Sequence, residues 1–167
     1  SYHGAAMFWG GRNMPQWQVG PVRCGHEFFG EVVAIGDKAA ERSELSLGDW
    51  CVPAQLIPCG YCRFCREGER WMCEVLKLYG FQKAVAAGGM ANFVRINRNS
   101  IVYRIPKEIG LKGGAMIEPV SCAAHTIERA GISMRDVVVI GGMGPIGICK
   151  LQFARMKSPK LLLADAV

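Results

Sequence analysis

Val137-Val138-Val139-Ile140-Gly141-Gly142-Met143-Gly144-Pro145-Ile146-Gly147 runs from an unbroken apolar tetrad straight into a G-x-G-x-x-G turn. A short apolar run closed by glycine fits a strand buried on both faces, and Pro145 to Met156 reads as the helix that follows. Leu161 to Ala164 is a second apolar run, so the segment reads β-α-β, the unit of a parallel sheet. Glycines at this spacing permit a tight turn, close approach of a pyrophosphate and close helix packing, with the phosphate on the helix N-terminus. Asp165 ends the second strand 18 residues after Gly147. A carboxylate there accepts hydrogen bonds from a ribose 2′-hydroxyl and repels a 2′-phosphate, which favours NAD over NADP. The candidate cofactor residues are therefore Gly142, Gly144, Pro145, Ile146, Gly147 and Asp165. The competing reading is an ordinary strand-turn-helix of an α/β protein.

Upstream, Val120, Ala123, Ala124, Ile127 and Ala130 fall on one helical face, and Pro119 suits the first turn of a helix opening at Glu118. Before that the pattern changes to short β-type runs broken by Gly, Pro and Asp: Glu31 to Ile35, Trp50 to Pro53, Met90 to Ile96 and Ile101 to Ile105. Regular short strands of this kind predict a small barrel or sandwich. The change falls near Gly113 and Gly114, giving domains at 1–113 and 114–167. Two parallel strands are too few for a doubly wound sheet, so the chain is expected to be a piece of a longer protein, cut at both ends.

Cys59, Cys62, Cys65 and Cys73 follow C-x2-C-x2-C-x7-C inside a lobe at 57–75. Two-residue gaps let successive thiolates converge on one tetrahedral ion, and the longer return brings in the fourth. Four protein ligands leave no open position, so this site is expected to hold a structural zinc. Disulfides are the alternative, but they need an oxidising compartment, and gaps this short strain a direct bridge. Cys51, Cys122 and Cys149 read as buried thiols, His125 as hydrogen-bonded within its helix, and the Trp and Met residues as core.

Gly25-His26-Glu27 precedes Gly30-Glu31-Val32-Val33. An imidazole and an adjacent carboxylate suit a borderline cation, and the glycine allows close backbone approach. An ordinary surface pair is the bland alternative.

The 167 residues are 50% apolar and 20% charged, enough to bury a core, and no apolar run approaches the ~18 residues of a membrane span. Twenty Lys and Arg against fourteen Asp and Glu give +6, with a short basic cluster at Arg63, Arg66 and Arg70. A zinc-stabilised module gripping nucleic acid or an acidic partner is thus a second hypothesis. The glycine turn and Asp165 argue against it, since a binding module has no use for a dinucleotide cradle.

Together these motifs resemble the zinc-dependent medium-chain dehydrogenase/reductase family, of alcohol dehydrogenase type. The matching pieces, in family order, are Gly25-His26-Glu27, Gly48-Asp49, the four-cysteine lobe, Gly88-Gly89-Met90-Ala91, Glu118-Pro119 and the glycine turn. His26-Glu27 and Glu118-Pro119 resemble the polyol (sorbitol-like) and threonine dehydrogenase branches.

The resemblance implies a GroES-like β-barrel catalytic domain followed by the start of a Rossmann domain. It implies a catalytic zinc at His26 and Glu27, with Glu118 near the metal. A structural zinc at Cys59, Cys62, Cys65 and Cys73 is implied too, with NAD held at Ile146 and Asp165. The implied chemistry is oxidation of a secondary alcohol, a polyol in the first place, with hydride transfer to NAD. Threonine dehydrogenase-like activity is the alternative. A quinone reductase without zinc chemistry is disfavoured by the intact lobe and His26-Glu27. Further implications are a small-molecule alcohol as partner, dimers or tetramers of the parent, a cytoplasmic setting, no nucleic acid and no membrane, and a fragment inactive by itself.

The family's first catalytic zinc ligand is a Cys about twenty-five positions before the His, and residues 1 to 23 contain none. Cys24, two positions before His26, stands where the family has a non-ligand. His3 is a candidate relay histidine, with an ordinary surface role as the simpler reading. Met7-Phe8-Trp9 is a candidate lining of the substrate pocket.

Overall fold

The computed structural model describes residues 23–81 and 87–165; His3 and Met7-Phe8-Trp9 lie outside them. The chain divides into two compact units, Ser1–Ala115 and Met116–Val167.

In the first unit, β1 (Gly30–Glu31), β2 (Trp50–Pro53) and β5 (Val102–Ile105) form an antiparallel sheet in the order β1-β2-β5. The register sets Gly30 against Cys51 and Trp50 against Ile105. β3 (Leu56–Ile57) and β4 (Lys77–Leu78) pair separately, and helix α1 (Asp37–Ser43) crosses between β1 and β2. The described residues of this unit form these two small sheets, with no closed barrel among them.

The run Glu31 to Ile35 contributes only its first residue to a strand. Its partner β2 starts at Trp50, and Val32 bonds instead to the Ser46–Asp49 turn, through Val32 N–H to the Asp49 carbonyl and Gly48 N–H to the Val32 carbonyl. Met90 to Ile96 is not a strand, because no ladder partner runs beside it among the described residues. Ile57 and Tyr79, with Phe28 against them, form the deepest core of this unit.

Helix α2 (Arg63–Arg66) and a 3-10 turn at Arg70–Met72 build the cysteine lobe. Helix α3 (Gly110–Ala130) begins at Gly110 rather than Glu118, so Pro119 is interior and not in a first turn. Gly113 and Gly114, read from sequence as a boundary, are helical instead, and both are tightly packed: a Cβ on Gly113 would meet the Ile109 side chain one turn earlier. A Cβ on Gly114 would lie 2.6 Å from the Phe29 ring.

In the second unit, β6 (Val137–Gly141), helix α4 (Pro145–Met156) and β7 (Leu161–Asp165) form the expected β-α-β with parallel strands, Val137 against Leu161 through Gly141 against Asp165. Ile127, Ile140 and Ala154 are its buried core, with Val138 and Leu162 packed on them. The strands are not buried on both faces. Their alternate residues Val137, Val139, Leu161 and Leu163 are exposed, because α3 and α4 supply cover to one set of side chains only. Several methionines, Met90, Met134 and Met156 among them, are likewise exposed rather than core.

Candidate functional site

The lobe cysteines come from three local structures. Cys59 and Cys62 lie on the turn before α2, Cys65 is within α2, and Cys73 closes the 3-10 turn. Their four Sγ atoms lie within 4.8 Å of one another, and Cys59 and Cys65 are 3.9 Å apart. Sulfurs held about 2.3 Å from a common ion at tetrahedral angles stand about 3.8 Å apart, whereas a disulfide needs about 2.05 Å. None of the eight cysteines is in a disulfide. Backbone N–H groups of Cys59 and Cys62 donate to Cys73 Sγ and Cys59 Sγ, each at 3.3 Å.

The lobe thiols are pushed apart in acidity. Backbone N–H groups, that of Glu74 foremost, bring Cys62 down to about 6, while loss of solvent takes Cys65 up to about 12. Four thiols this close cannot all ionise without a cation, so the donor set fits zinc.

The basic cluster on the lobe serves the lobe itself. Arg63 stacks over Phe64 at 4.7 Å and pairs with Glu67 at 3.9 Å, and Arg66 Nε donates to the Tyr61 carbonyl at 2.6 Å. Two of the three arginines are thus engaged locally, which weakens the polyanion-binding hypothesis.

His26 and Glu27 sit on an irregular segment before β1. His26 Nε2 is 4.0 Å from Glu27 Oε1, and both side chains are partly exposed. One nitrogen and one oxygen donor facing each other suit a shared borderline cation and supply half of a tetrahedral set. The His26 ring lies 4.8 Å from that of Phe81, a neighbour that sequence reasoning missed. The Tyr79-Gly80-Phe81 triplet just after β4 was its only signal. Cys24 is half-buried next to this turn.

Glu118 belongs to the second unit, on α3, where Cys122 Sγ donates to its Oε1 at 3.4 Å. Cys122 is half-buried rather than buried, while Cys51 and Cys149 are buried as expected. Burial raises the Cys51 thiol above its ordinary value, helped by the nearby Asp49 charge.

The glycine turn has the geometry its spacing predicts. Gly142 has φ +85°, a conformation open to glycine. A Cβ on Gly147 would overlap the Gly142 carbonyl, whereas a Cβ on Gly142 or Gly144 would meet nothing within 4 Å. The third glycine thus closes the packing while the first two leave open room beside the backbone. Pro145 opens α4, and Ile148 N–H makes an early helical bond to the Gly144 carbonyl at 2.9 Å, leaving the preceding amides at the helix mouth. Gly142 N–H donates to the Asp165 carbonyl at 2.9 Å, which fixes Asp165 beside the turn. A groove of about 740 Å³ runs along β6 and the turn, with Lys150 on its wall. These features fit a dinucleotide.

Residues 3–107 match the alcohol dehydrogenase GroES-like domain. An erythritol/L-threitol dehydrogenase of Mycolicibacterium smegmatis is 41% identical over 98% of this chain and 45% of its own length. A sorbitol dehydrogenase of Halalkalibacterium halodurans is 33% identical over 81% of this chain and 38% of its own. Among solved structures, a protein of Sinorhizobium meliloti, provisionally described as a zinc-binding dehydrogenase and bound to NADP, superposes with a TM-score of 0.70 at 28% identity. That match covers 86% of this chain and 40% of the other. The chain spans less than half the length of these relatives.

Proposed function

Because the chain belongs to the alcohol dehydrogenase GroES-like domain family, we propose that it is part of a zinc-dependent oxidoreductase that moves hydride from a secondary alcohol, a polyol, to NAD. The observation that carries this reading is the pairing of four cysteine sulfurs within 4.8 Å of one another with a G-x-G-x-x-G turn whose Gly147 packs on the Gly142 carbonyl, in one chain of that family. The polyol assignment is supported by the relatives named for erythritol, threitol and sorbitol. In this reading 1–113 is the catalytic domain, and 114–167 is the start of a Rossmann domain.

Cys59, Cys62, Cys65 and Cys73 hold a structural zinc that folds the lobe. His26 and Glu27 hold the catalytic zinc, and the family resemblance adds Glu118 to their neighbourhood. A bound zinc supplies Lewis-acid lowering of a hydroxyl's pKa, and a bound nicotinamide supplies the hydride acceptor. The helix mouth at Pro145, Ile146 and Gly147 holds the pyrophosphate, and Asp165 accepts from the ribose hydroxyls, which selects NAD. Eight cysteines without a disulfide suit a reducing, cytoplasmic setting, and no described helix is long and apolar enough to cross a membrane. The working protein is a dimer or tetramer.

The test is reduction of NAD and NADP by the full-length protein with erythritol, threitol, sorbitol and threonine as substrates. NAD reduction with a polyol, lost in His26→Ala, is expected. Activity with threonine alone would move the chain to the threonine branch. Undiminished activity in His26→Ala would remove His26 from the chemistry.

A further inference from the structure

The turn that carries His26 lies in neither helix nor strand, yet it is gripped by backbone from two sides. Three consecutive amides reach three consecutive carbonyls: Gly88 N–H donates to Arg23 at 2.8 Å, Gly89 N–H to Gly25 at 2.8 Å, and Met90 N–H to Cys24 at 3.0 Å. Gly25 itself has φ +94°.

The contacts leave no room for side chains. A Cβ on Gly88 would overlap the Cys24 carbonyl, and one on Gly89 would overlap Phe28. From the other side, a Cβ on Gly80 would stand 2.6 Å from the Gly25 carbonyl oxygen and 2.9 Å from the Gly25 nitrogen. Gly80 and Gly88 are both buried. Next to Gly80, Phe81 presents its ring to His26 at 4.8 Å.

We propose that Gly80, Gly88 and Gly89, with the face of Phe81, are positioning residues that fix the backbone and ring orientation of His26. The proposal rests on His26 being a metal ligand as read above. A metal ligand needs its atom placed within about 0.2 Å, which an irregular segment reaches only when its backbone is held. Here close packing of glycine on backbone supplies the hold, and the aromatic face limits rotation of the imidazole.

The experiment follows the histidine ring protons and backbone amides of the full chain by NMR, with the four-cysteine site filled. In the unaltered chain, the Gly88, Gly89 and Met90 amides exchange slowly and the His26 ring protons carry an upfield shift from Phe81. Rapid exchange of those three amides overturns the proposal without any variant. Gly88→Ala is expected to abolish the His26 shift and leave His125 unchanged. Zinc affinity followed at His26 should fall about tenfold to a hundredfold, while the thiolate spectrum of the cobalt-loaded lobe stays as it was.

A Gly88→Ala chain that keeps the lobe spectrum and the His26 shift overturns the proposal. If that variant loses the lobe spectrum as well, Gly80→Ala and Phe81→Leu decide. A His26 shift that survives both in folded protein overturns the proposal, and loss in either supports it. A shift lost in Gly88→Ala, with zinc leaving His26 unperturbed in the unaltered chain, supports the clamp and removes the metal reading.

Discussion

Replacing Tyr79 by Phe deletes a single oxygen from the least exposed large side chain of the first unit and leaves its volume nearly unchanged. That oxygen is a junction. Asn97 N–H donates to it at 2.7 Å, and it lies 2.5 Å from Ser100 Oγ, itself buried. Removing it takes the acceptor from the half-buried Asn97 amide, at about 1–2 kcal/mol, and the Ser100 hydroxyl loses a neutral bond of about 1 kcal/mol. Ser100 can rotate towards another partner, so the expected loss is about 2–3 kcal/mol. For a chain of this length that lowers the midpoint by about 4–12 °C. The assay is thermal and urea unfolding with zinc in constant excess, because metal bound to the native state adds to apparent stability. Ser100→Ala completes a double-mutant cycle, and an interaction energy above about 0.5 kcal/mol is expected for groups in one network. A loss under about 0.5 kcal/mol, or strict additivity in the cycle, would refute the account of Tyr79 as a hydrogen-bonded pin.

Three more outcomes are expected. Cys65→Ser should release one zinc per chain, measured by native mass spectrometry, and speed amide exchange across 57–75; retention of the metal would mean that three thiolates suffice. Gly147→Ala should push α4 off the glycine turn, because its Cβ overlaps the Gly142 carbonyl. NAD binding by the full-length protein should weaken at least tenfold by calorimetry, and unchanged affinity would argue that the turn carries no cofactor. The third concerns Asp136, whose carboxyl is held below the usual carboxylate range by the backbone N–H of Ser133 and then by its hydroxyl. A lowered folded pKa contributes stability above the unfolded pKa of about 3.9 and loses it as pH falls through the folded value. The stability gap between the unaltered chain and Asp136→Asn should therefore be constant above about pH 5 and close below about pH 4, followed by urea unfolding. A gap independent of pH would contradict the assignment.

The sequence by itself determined the elements whose signals are local. The spacing of Cys59, Cys62, Cys65 and Cys73 carries its own geometry, because short gaps on turns bring sulfurs together whatever surrounds them. The glycine turn and its β-α-β frame follow for the same reason, since Gly142 and Gly147 answer demands made by residues a few positions away. Trp50–Pro53 is also recovered to the residue. What tertiary structure alone decided are the features that depend on distant partners. Met90 to Ile96 has strand composition, but a strand exists only where another runs beside it. Gly113 and Gly114 look like a break, yet they continue α3, and at Gly114 the Phe29 ring occupies the space a Cβ would take. Pro119 falls inside α3 because packing offsets the lost hydrogen bond. The surroundings of His26 belong to the same class. Gly80, Phe81 and Gly88-Gly89 lie more than fifty residues along the chain, and contact at that separation is fixed by the whole fold, not by any window of sequence.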